Sequence, residues 1–169
     1  MSGGGDNGVM LGMMAANRAQ RGGPAKGKSS MFNIFPLMIV PVIIYVAVAF
    51  TMGGADQASM AAALGQPVFH IPMTSGQWAL PLGDLIVIFG MFALFIEQIK
   101  AAGSGTSTII NHGLSMVVFV VAMALFLLVG KFGTSAFFLL TLMTLMDTVG
   151  GFVVTVVAAR RDLAVGGEG

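Results

Sequence analysis

Four long apolar stretches, separated by short polar segments, dominate the pattern of this chain. They cover approximately residues 31–52, 80–99, 109–130 and 134–158. Each is close to the roughly 20 residues that an α-helix needs to cross the hydrocarbon core of a bilayer. We therefore predict an all-α integral membrane protein, built as a four-transmembrane-helix bundle.

The polar segments around these spans predict two tails and one sizeable loop. Residues 1–30 are rich in Gly and have too few apolar side chains to offset the entropy of ordering, so we predict a flexible tail. Residues 159–169 form a second, short tail. The loop is residues 53–79, with a weakly helical stretch at 58–64 and with Trp78 in an interfacial aromatic belt.

The first span contains two prolines, Pro36 and Pro41. Proline removes a backbone donor and its ring crowds the preceding turn, so we expect this helix to be kinked or loosened in its first half. The apolar run is too long for the core of a signal peptide. We interpret the span as an uncleaved anchor.

Composition supports the membrane interpretation. The chain has 169 residues, of which 56% are hydrophobic and 9% charged, against about 25% charged in soluble proteins. Its mean hydropathy is +0.92. The absence of Cys excludes disulfides, thiolate metal sites and cysteine nucleophiles.

The cations predict the orientation of the bundle. If the N-terminus is cytoplasmic, Lys131 alone among the eight Lys and Arg residues falls outside. The positive-inside rule therefore places both termini in the cytoplasm and residues 53–79 outside. The cations that mark the inner side, and that would contact anionic lipid there, are Arg18, Arg21, Lys26, Lys28, Lys100, Arg160 and Arg161.

Asp147 lies near the middle of the last span, in a stretch otherwise free of charge. A charge at that depth costs about 2.5 to 3.5 kcal/mol on insertion scales, so the carboxyl should face the bundle. There we expect it to be protonated or hydrogen-bonded to Thr144 or Ser115. It flanks a helix-packing stripe whose members are Thr141, Thr144, Thr148, Gly151 and Thr155.

Glu97 and His112 are the other candidate interior polar residues. Glu97 continues a face of small residues on the second span, formed by Gly83, Gly90 and Ala93, and Lys100 three residues later can pair with it. His112 opens the third span at a similar depth, so a contact between Glu97 and His112 is expected.

These residues outline a ladder across the membrane. His70 or Asp84 would be its outer step, Asp147 its middle, and Glu97 with His112 its inner step. Such a ladder is typical of a proton relay. Two structural interpretations remain open, because buried polar contacts hold many bundles together and Asp84 also suits the positive end of a helix dipole.

Catalytic, metal and cofactor sites are not indicated by the sequence. His70 and His112 fall on opposite sides of the membrane in this topology, so they cannot ligate one haem together. No two candidate ligands have a zinc-like spacing, and no serine motif or phosphate loop is present. We expect a protein that is not an enzyme, without cofactor or metal.

Part of the chain resembles a known group of proteins. Residues 80–163 are similar to small inner-membrane proteins of alphaproteobacteria, a family whose members share no established activity. The segments that carry the resemblance are Phe95-Ile96-Glu97, Ile110-Asn111-His112-Gly113-Leu114-Ser115, Phe137-Phe138-Leu139-Leu140, Met146-Asp147 and Ala159-Arg160-Arg161-Asp162. The resemblance implies a multi-pass protein of the bacterial inner membrane.

Three functions are compatible with the sequence. The first is a non-catalytic accessory, scaffold or assembly subunit of a larger membrane complex, with the lipid bilayer, other membrane subunits or further copies of the chain as partners. The second is a proton- or cation-conducting channel or small transporter that uses Asp147, Glu97 and His112. The third is a sensor whose outer loop responds through His70. No nucleic-acid partner is expected.

Overall fold

The structure, a computed structural model, describes residues 34–101 and 106–165. The predicted N-terminal tail, with its four cations, lies outside the described residues. Five α-helices, two strands and a 3-10 turn follow one another along the described part of the chain. In order, they are α1 Ile39–Thr51, α2 Gln57–Leu64, β1 Pro67–Met73, β2 Gly76–Pro81, α3 Leu82–Ala101, α4 Thr106–Leu128, the 3-10 turn Gly130–Phe132, and α5 Ser135–Val165.

Three of the helices are long and apolar enough to cross a membrane. Their apolar parts are Leu82–Ala101, Thr108–Leu128 and Ser135–Val157. Large apolar side chains project outward from them, and Phe95 and Leu128 are 64% and 81% exposed. Such exposure is costly in water and normal against lipid tails. The prediction of a helical membrane protein is therefore confirmed for these three spans.

The first predicted span is shorter than expected. Helix α1 has 13 residues, about 20 Å at 1.5 Å per residue, whereas the hydrocarbon core is about 30 Å thick. The chain turns tightly just before it, where the Ile39 N–H donates to the Pro36 carbonyl at 3.3 Å. Pro41 lies in the first turn of α1, where a missing N–H costs no helical hydrogen bond. Pro36 thus precedes the helix instead of kinking it.

The predicted outer loop is an ordered unit, which corrects the all-α prediction. Asp56 begins α2 by accepting the Ser59 N–H at 2.7 Å. Strands β1 and β2 then form an antiparallel hairpin. A run of β-branched and aromatic residues favours extended backbone here. Gly76 has a φ of +144°, a backbone conformation that residues other than glycine rarely adopt.

The three long helices alternate in direction. The 3-10 turn brings α5 back along α4, and α5 also packs along α3. Thr134 starts α5 as an N-cap, since its hydroxyl oxygen accepts the Phe137 N–H at 3.3 Å. The helix continues to Val165, past the predicted end at 158, because residues 158–165 are mostly good helix formers.

The two ends of the bundle differ in chemistry. The hairpin end, where α1 and α4 finish, holds an aromatic core in which the Tyr45 ring lies 4.6 Å from the Phe137 ring and 5.7 Å from the Phe132 ring. The Tyr45 hydroxyl shares a hydrogen bond of 2.5 Å with the Thr134 hydroxyl. The opposite end, where α3 finishes at Ala101, is the Lys100 end. Its interior is polar.

Candidate intramembrane polar site

Helix α3 directs Glu97 into the bundle. Gly83, Gly90, Ala93 and Glu97 are all buried along one face of this helix. At Gly90 an added Cβ would lie 2.6 Å from Leu140 Cδ2, so the missing side chain lets α5 approach closely. One turn beyond Ala93, the same face buries the Glu97 carboxylate, which is 1% exposed.

The Glu97 carboxylate is well supplied with donors. Its Oε2 accepts the Leu37 N–H at 2.7 Å and the Lys100 ammonium at 3.1 Å. Its Oε1 accepts the Asn111 amide at 2.6 Å and Lys100 at 3.2 Å. The predicted pairing with Lys100 is confirmed, and it is buried, with Lys100 only 8% exposed. A buried charge with this many donors is compensated.

Lys100 and Glu97 together hold the turn that precedes α1. The Lys100 ammonium donates to the Phe35 carbonyl at 2.8 Å, and Glu97 accepts from Leu37. Proline at position 36 leaves this stretch without a continuous helical ladder, so its backbone groups need partners elsewhere. The two charged side chains of α3 provide them.

Asn111 links Glu97 to the interior of α4. Its amide donates to Glu97, and its Oδ1 accepts the Ser115 hydroxyl at 3.4 Å. Asn111 and Ser115 are 3% and 1% exposed. No hydrogen bond joins Glu97 to His112, since neither ring nitrogen of His112 has a hydrogen-bond partner, although the two side chains lie within electrostatic range. The neighbouring residue Asn111 takes that place.

Asp147 is as buried as Glu97 but lacks donors. It is 1% exposed, and neither carboxyl oxygen has a hydrogen-bond partner. Ser115 lies close enough to interact with it, and Glu97 lies within electrostatic range. The expected bond from Thr144 is absent, because the Thr144 hydroxyl donates to the Thr141 carbonyl at 2.7 Å.

The predicted threonine stripe lies on the inner side of α5. Thr141, Thr144 and Gly151 are buried, and Thr148 and Thr155 are half-buried. The hydroxyls are satisfied within their own helix. Each hydroxyl donates to a backbone carbonyl about one turn earlier in the helix, at 2.7 to 2.9 Å. The donors are Thr141, Thr144, Thr148 and Thr155, and their acceptors, in the same order, are the carbonyls of Phe137, Thr141, Thr144 and Gly151. The stripe therefore provides a smooth packing surface without donors to spare for Asp147.

His112 and Gln98 fit against two adjacent glycines of α5. A Cβ added at Gly151 would collide with the His112 ring, and one added at Gly150 would lie 2.6 Å from Gln98 Oε1. Both ring nitrogens of His112 are shielded from solvent. The glycine pair thus lets α3 and α4 place polar side chains directly on the backbone of α5, one turn from Asp147.

The structure separates the predicted outer step of the ladder from the rest. His70 is exposed in β1, and Asp84 is exposed in the first turn of α3, where it suits the helix dipole. Both lie at the hairpin end. The apolar core that includes Val118, Ala122 and Leu140 fills the interior between that end and Asp147.

Three features of the site were not predicted from the sequence. They are the side chains of Asn111 and Gln98, and the use of the Gly150–Gly151 pair as a surface on which side chains of other helices pack. Asn111 stands next to His112, and a helical period alone does not distinguish which of two neighbours turns toward α3. The two adjacent glycines can be seen in the sequence, and they indicate a position where side chains of another helix can approach the backbone. No group of three or more His, Cys, Asp and Glu residues that could hold a metal occurs within residues 34–101 and 106–165.

The remaining predicted positions belong to the ends of the bundle. Arg160 is exposed near the end of α5, and the side chain of Arg161 lies outside the described part. Lys131 lies over the Phe50 ring at 4.1 Å, at the hairpin end. Lys100 and Arg160 therefore lie at the end opposite Lys131.

Comparison with protein-family models, with curated proteins and with solved structures finds no match to this chain.

Proposed function

We propose that this protein is a non-catalytic accessory or assembly subunit of a larger complex in the bacterial inner membrane, anchored by its helices. The apolar face of its hairpin is the observation that carries the proposal. Phe69 pairs with Leu80 and Ile71 with Trp78, so these side chains share one face of the two strands, with Met73 beyond them. We call them the hairpin face.

The hairpin face is open. Phe69, Ile71, Met73 and Trp78 are 41% to 57% exposed, and only Leu80 is buried. A two-stranded hairpin is marginally stable alone, and contiguous exposed apolar surface usually marks a site of interaction. A partner subunit that covers this face and pairs with a strand edge would stabilise it.

The distribution of cations supports an orientation with both termini in the cytoplasm and the hairpin outside. Lys100 and Arg160 mark one end of the bundle and Lys131 the other. The sequence has four more cations ahead of α1, which begins at the Lys100 end, so the positive-inside rule favours that end in the cytoplasm. All four apolar helices then belong to the membrane domain, with α1 as its shortest member.

Site-specific photo-crosslinking in native membranes tests the accessory role. A photoreactive residue at Ile71, on the hairpin face, should give one dominant protein adduct. The matched control at His70, on the opposite face of β1, should give little of that adduct, and a probe at the outward Phe95 should label lipid. Ile71→Ser should reduce co-purification of the adduct partner, and His70→Ser should not.

A monomer that purifies in mild detergent without a partner, together with lipid adducts at every probe position, would contradict the accessory role. Equal adducts at Ile71 and His70 would contradict the assignment to the hairpin face.

A proton- or cation-conducting function is the second candidate, favoured by the unpartnered oxygens of Asp147 and nitrogens of His112. Conduction needs a hydrated path from Asp147 to the hairpin end, so rearrangement or oligomerisation must open the apolar core. Liposomes with the unmodified chain should then pass protons, and those with Asp147→Asn should not. Equal fluxes, or none in either, would reject conduction.

A further inference from the structure

Asp147 and His112 occupy neighbouring levels of the α4–α5 interface. The two helices are antiparallel, and His112 lies against Gly151. Ser115 is three residues further from the Lys100 end on α4, and Asp147 is four residues further on α5. Each step is about one helical turn. Asp147 therefore lies at the level of Ser115, and His112 lies one turn nearer to the Lys100 end.

Ser115 has one hydroxyl hydrogen and two neighbouring acceptors, Asn111 Oδ1 at 3.4 Å and the Asp147 carboxyl. The Asn111 amide donates to Glu97. Asp147 therefore shares its one hydroxyl donor with Asn111, whereas Glu97 has three donors of its own. A lone pair of Ser115 can also accept a hydrogen bond from a protonated carboxyl.

A carboxyl group in this position has a reason to carry a proton. It is 1% exposed and has no donor besides the shared Ser115 hydroxyl, and an ionised carboxylate with so few donors in an apolar interior is strongly disfavoured. The protonated form has an O–H to donate, and the Ser115 oxygen is the neighbour that can accept it. Protonation therefore satisfies groups that the carboxylate leaves unpaired.

We propose that Asp147 and His112 form a proton-binding site that exchanges with water only at the Lys100 end of the bundle. His112 lies on the route, between Asp147 and that end. Toward the hairpin end, the Thr141 and Thr144 hydroxyls are bonded to their own helix, and Phe137, Leu140 and Val118 fill the interior. This site does not depend on the accessory role.

The exchange is a simple acid–base step. Because both ring nitrogens of His112 are shielded, the step begins when an opening at the Lys100 end admits a hydrated acid to the ring. The acid protonates His112, and the ring returns to the neutral form when the proton moves one turn further, to the Asp147 carboxylate. The charge of the carboxyl changes from −1 to 0, and the charge of the aqueous acid falls by one unit.

Few charged groups face this site from the packed helices. Helix α3 contributes Glu97 and Lys100, which neutralise each other, and α4 contributes His112. The titratable side chain of α1, Tyr45, is bonded to Thr134 at the hairpin end. Of the two buried carboxyls in the described residues, Asp147 is therefore the one without a cation bonded to it.

Infrared difference spectroscopy on the full-length protein in lipid nanodiscs tests the assignment. The carbonyl stretch of a protonated, buried carboxylic acid should be present near neutral pH and should be lost on raising the pH. Asp147→Asn should abolish the band. Glu97→Gln is the matched control and should retain it, because the proposal assigns the band to Asp147. Ser115→Ala should shift the band without removing it, because it changes the surroundings of the Asp147 carboxyl and keeps the carboxyl itself. This second variant tests the assignment if Asp147→Asn fails to fold.

The route is tested by the rate at which this band responds to a pH jump. His112→Leu should slow the response, because it removes the relay and keeps the site filled. Tyr45→Phe, at the hairpin end, should leave the rate unchanged. Equal slowing by both variants, or none by His112→Leu, would overturn the one-sided route.

Three results would overturn the site itself. One is the absence of a protonated carboxyl band in the unmodified protein from about pH 5 to 8. Another is a band that survives Asp147→Asn. The third is loss of the band when sodium replaces choline at constant pH, which would assign the site to a metal cation instead of a proton.

Discussion

Glu97 and Asp147 are two carboxyl groups with the same burial and opposite surroundings. Each is 1% exposed. Glu97 accepts hydrogen bonds from a backbone N–H, an ammonium and an amide, whereas Asp147 accepts none. The comparison shows that depth in the bundle does not decide what a buried acid does. The donors within reach decide it.

Position in the helices explains the difference. Glu97 is in the last turns of α3, beside the irregular stretch before α1, where backbone groups and a long cation are available. Asp147 is in the middle of α5, where every nearby backbone N–H is committed to the helical ladder. A mid-helix acid depends on side chains of other helices, and here the Ser115 hydroxyl is shared with Asn111.

Removal of the Glu97 carboxylate should have the largest effect on stability. Glu97→Ala leaves the Lys100 ammonium, the Asn111 amide and the Leu37 N–H without their acceptor. We expect a loss of about 3 to 5 kcal/mol, as for a broken buried ion pair. Denaturant titration of the detergent-solubilised protein, followed by circular dichroism, measures it.

Glu97→Gln keeps the shape and one acceptor oxygen, so it should fall between Glu97→Ala and the unmodified protein. A cost for Glu97→Ala below about 1 kcal/mol, the level of an exposed ion pair, would show that the Glu97 network is structurally dispensable.

Filling the glycine pair should have an intermediate effect. In Gly151→Ala the new methyl group collides with the His112 ring, and overpacking of this kind costs about 1 to 3 kcal/mol. Gly113→Ala is the matched control, because nothing lies within 4 Å of its added Cβ. It should be neutral or slightly stabilising. Thermal unfolding in detergent compares the two, and equal melting temperatures would contradict the close contact of His112 with α5.

Asp147→Asn should have a small effect on stability, below about 1 kcal/mol, because a neutral carboxyl without strong partners resembles an amide. The same titration should therefore rank it well below Glu97→Gln. A cost as large as that of Glu97→Gln would indicate that Asp147 is ionised and paired, which would remove the contrast between the two acids.

Asp56 is a solvent-exposed carboxylate that extends the comparison. We expect its effect on stability to be the smallest. The Ser59 N–H and hydroxyl that it accepts hold the pKa of Asp56 below its usual range. A lowered folded-state pKa stabilises α2 above the unfolded value of about 3.9, and this contribution is lost as the pH falls through the folded value. The check is a loss of amide protection in α2 at low pH, measured relative to the intrinsic exchange rate at each pH and absent in Asp56→Asn.

The sequence predicted more of the helices than of their contacts. The three long spans and the pairing of Glu97 with Lys100 follow from apolar length and helical spacing, which are local properties. The hairpin was missed because residues 53–79 were interpreted as a polar loop. A strand signal was present, since Phe69 and Ile71 are apolar residues two positions apart. The partner of Glu97 was assigned to His112 instead of Asn111, because one residue along a helix is a rotation of about 100°.

The sequence by itself predicted four apolar spans, and three of them are confirmed as helices long enough for a bilayer, since length and hydropathy act without reference to the rest of the chain. It also fixed the depth of Asp147 along its helix. Only the tertiary structure decided which hydrogen points at which oxygen. Glu97 and Asp147 both stand within apolar runs of the sequence, and the number of donors that the folded chain brings to each carboxyl distinguishes them.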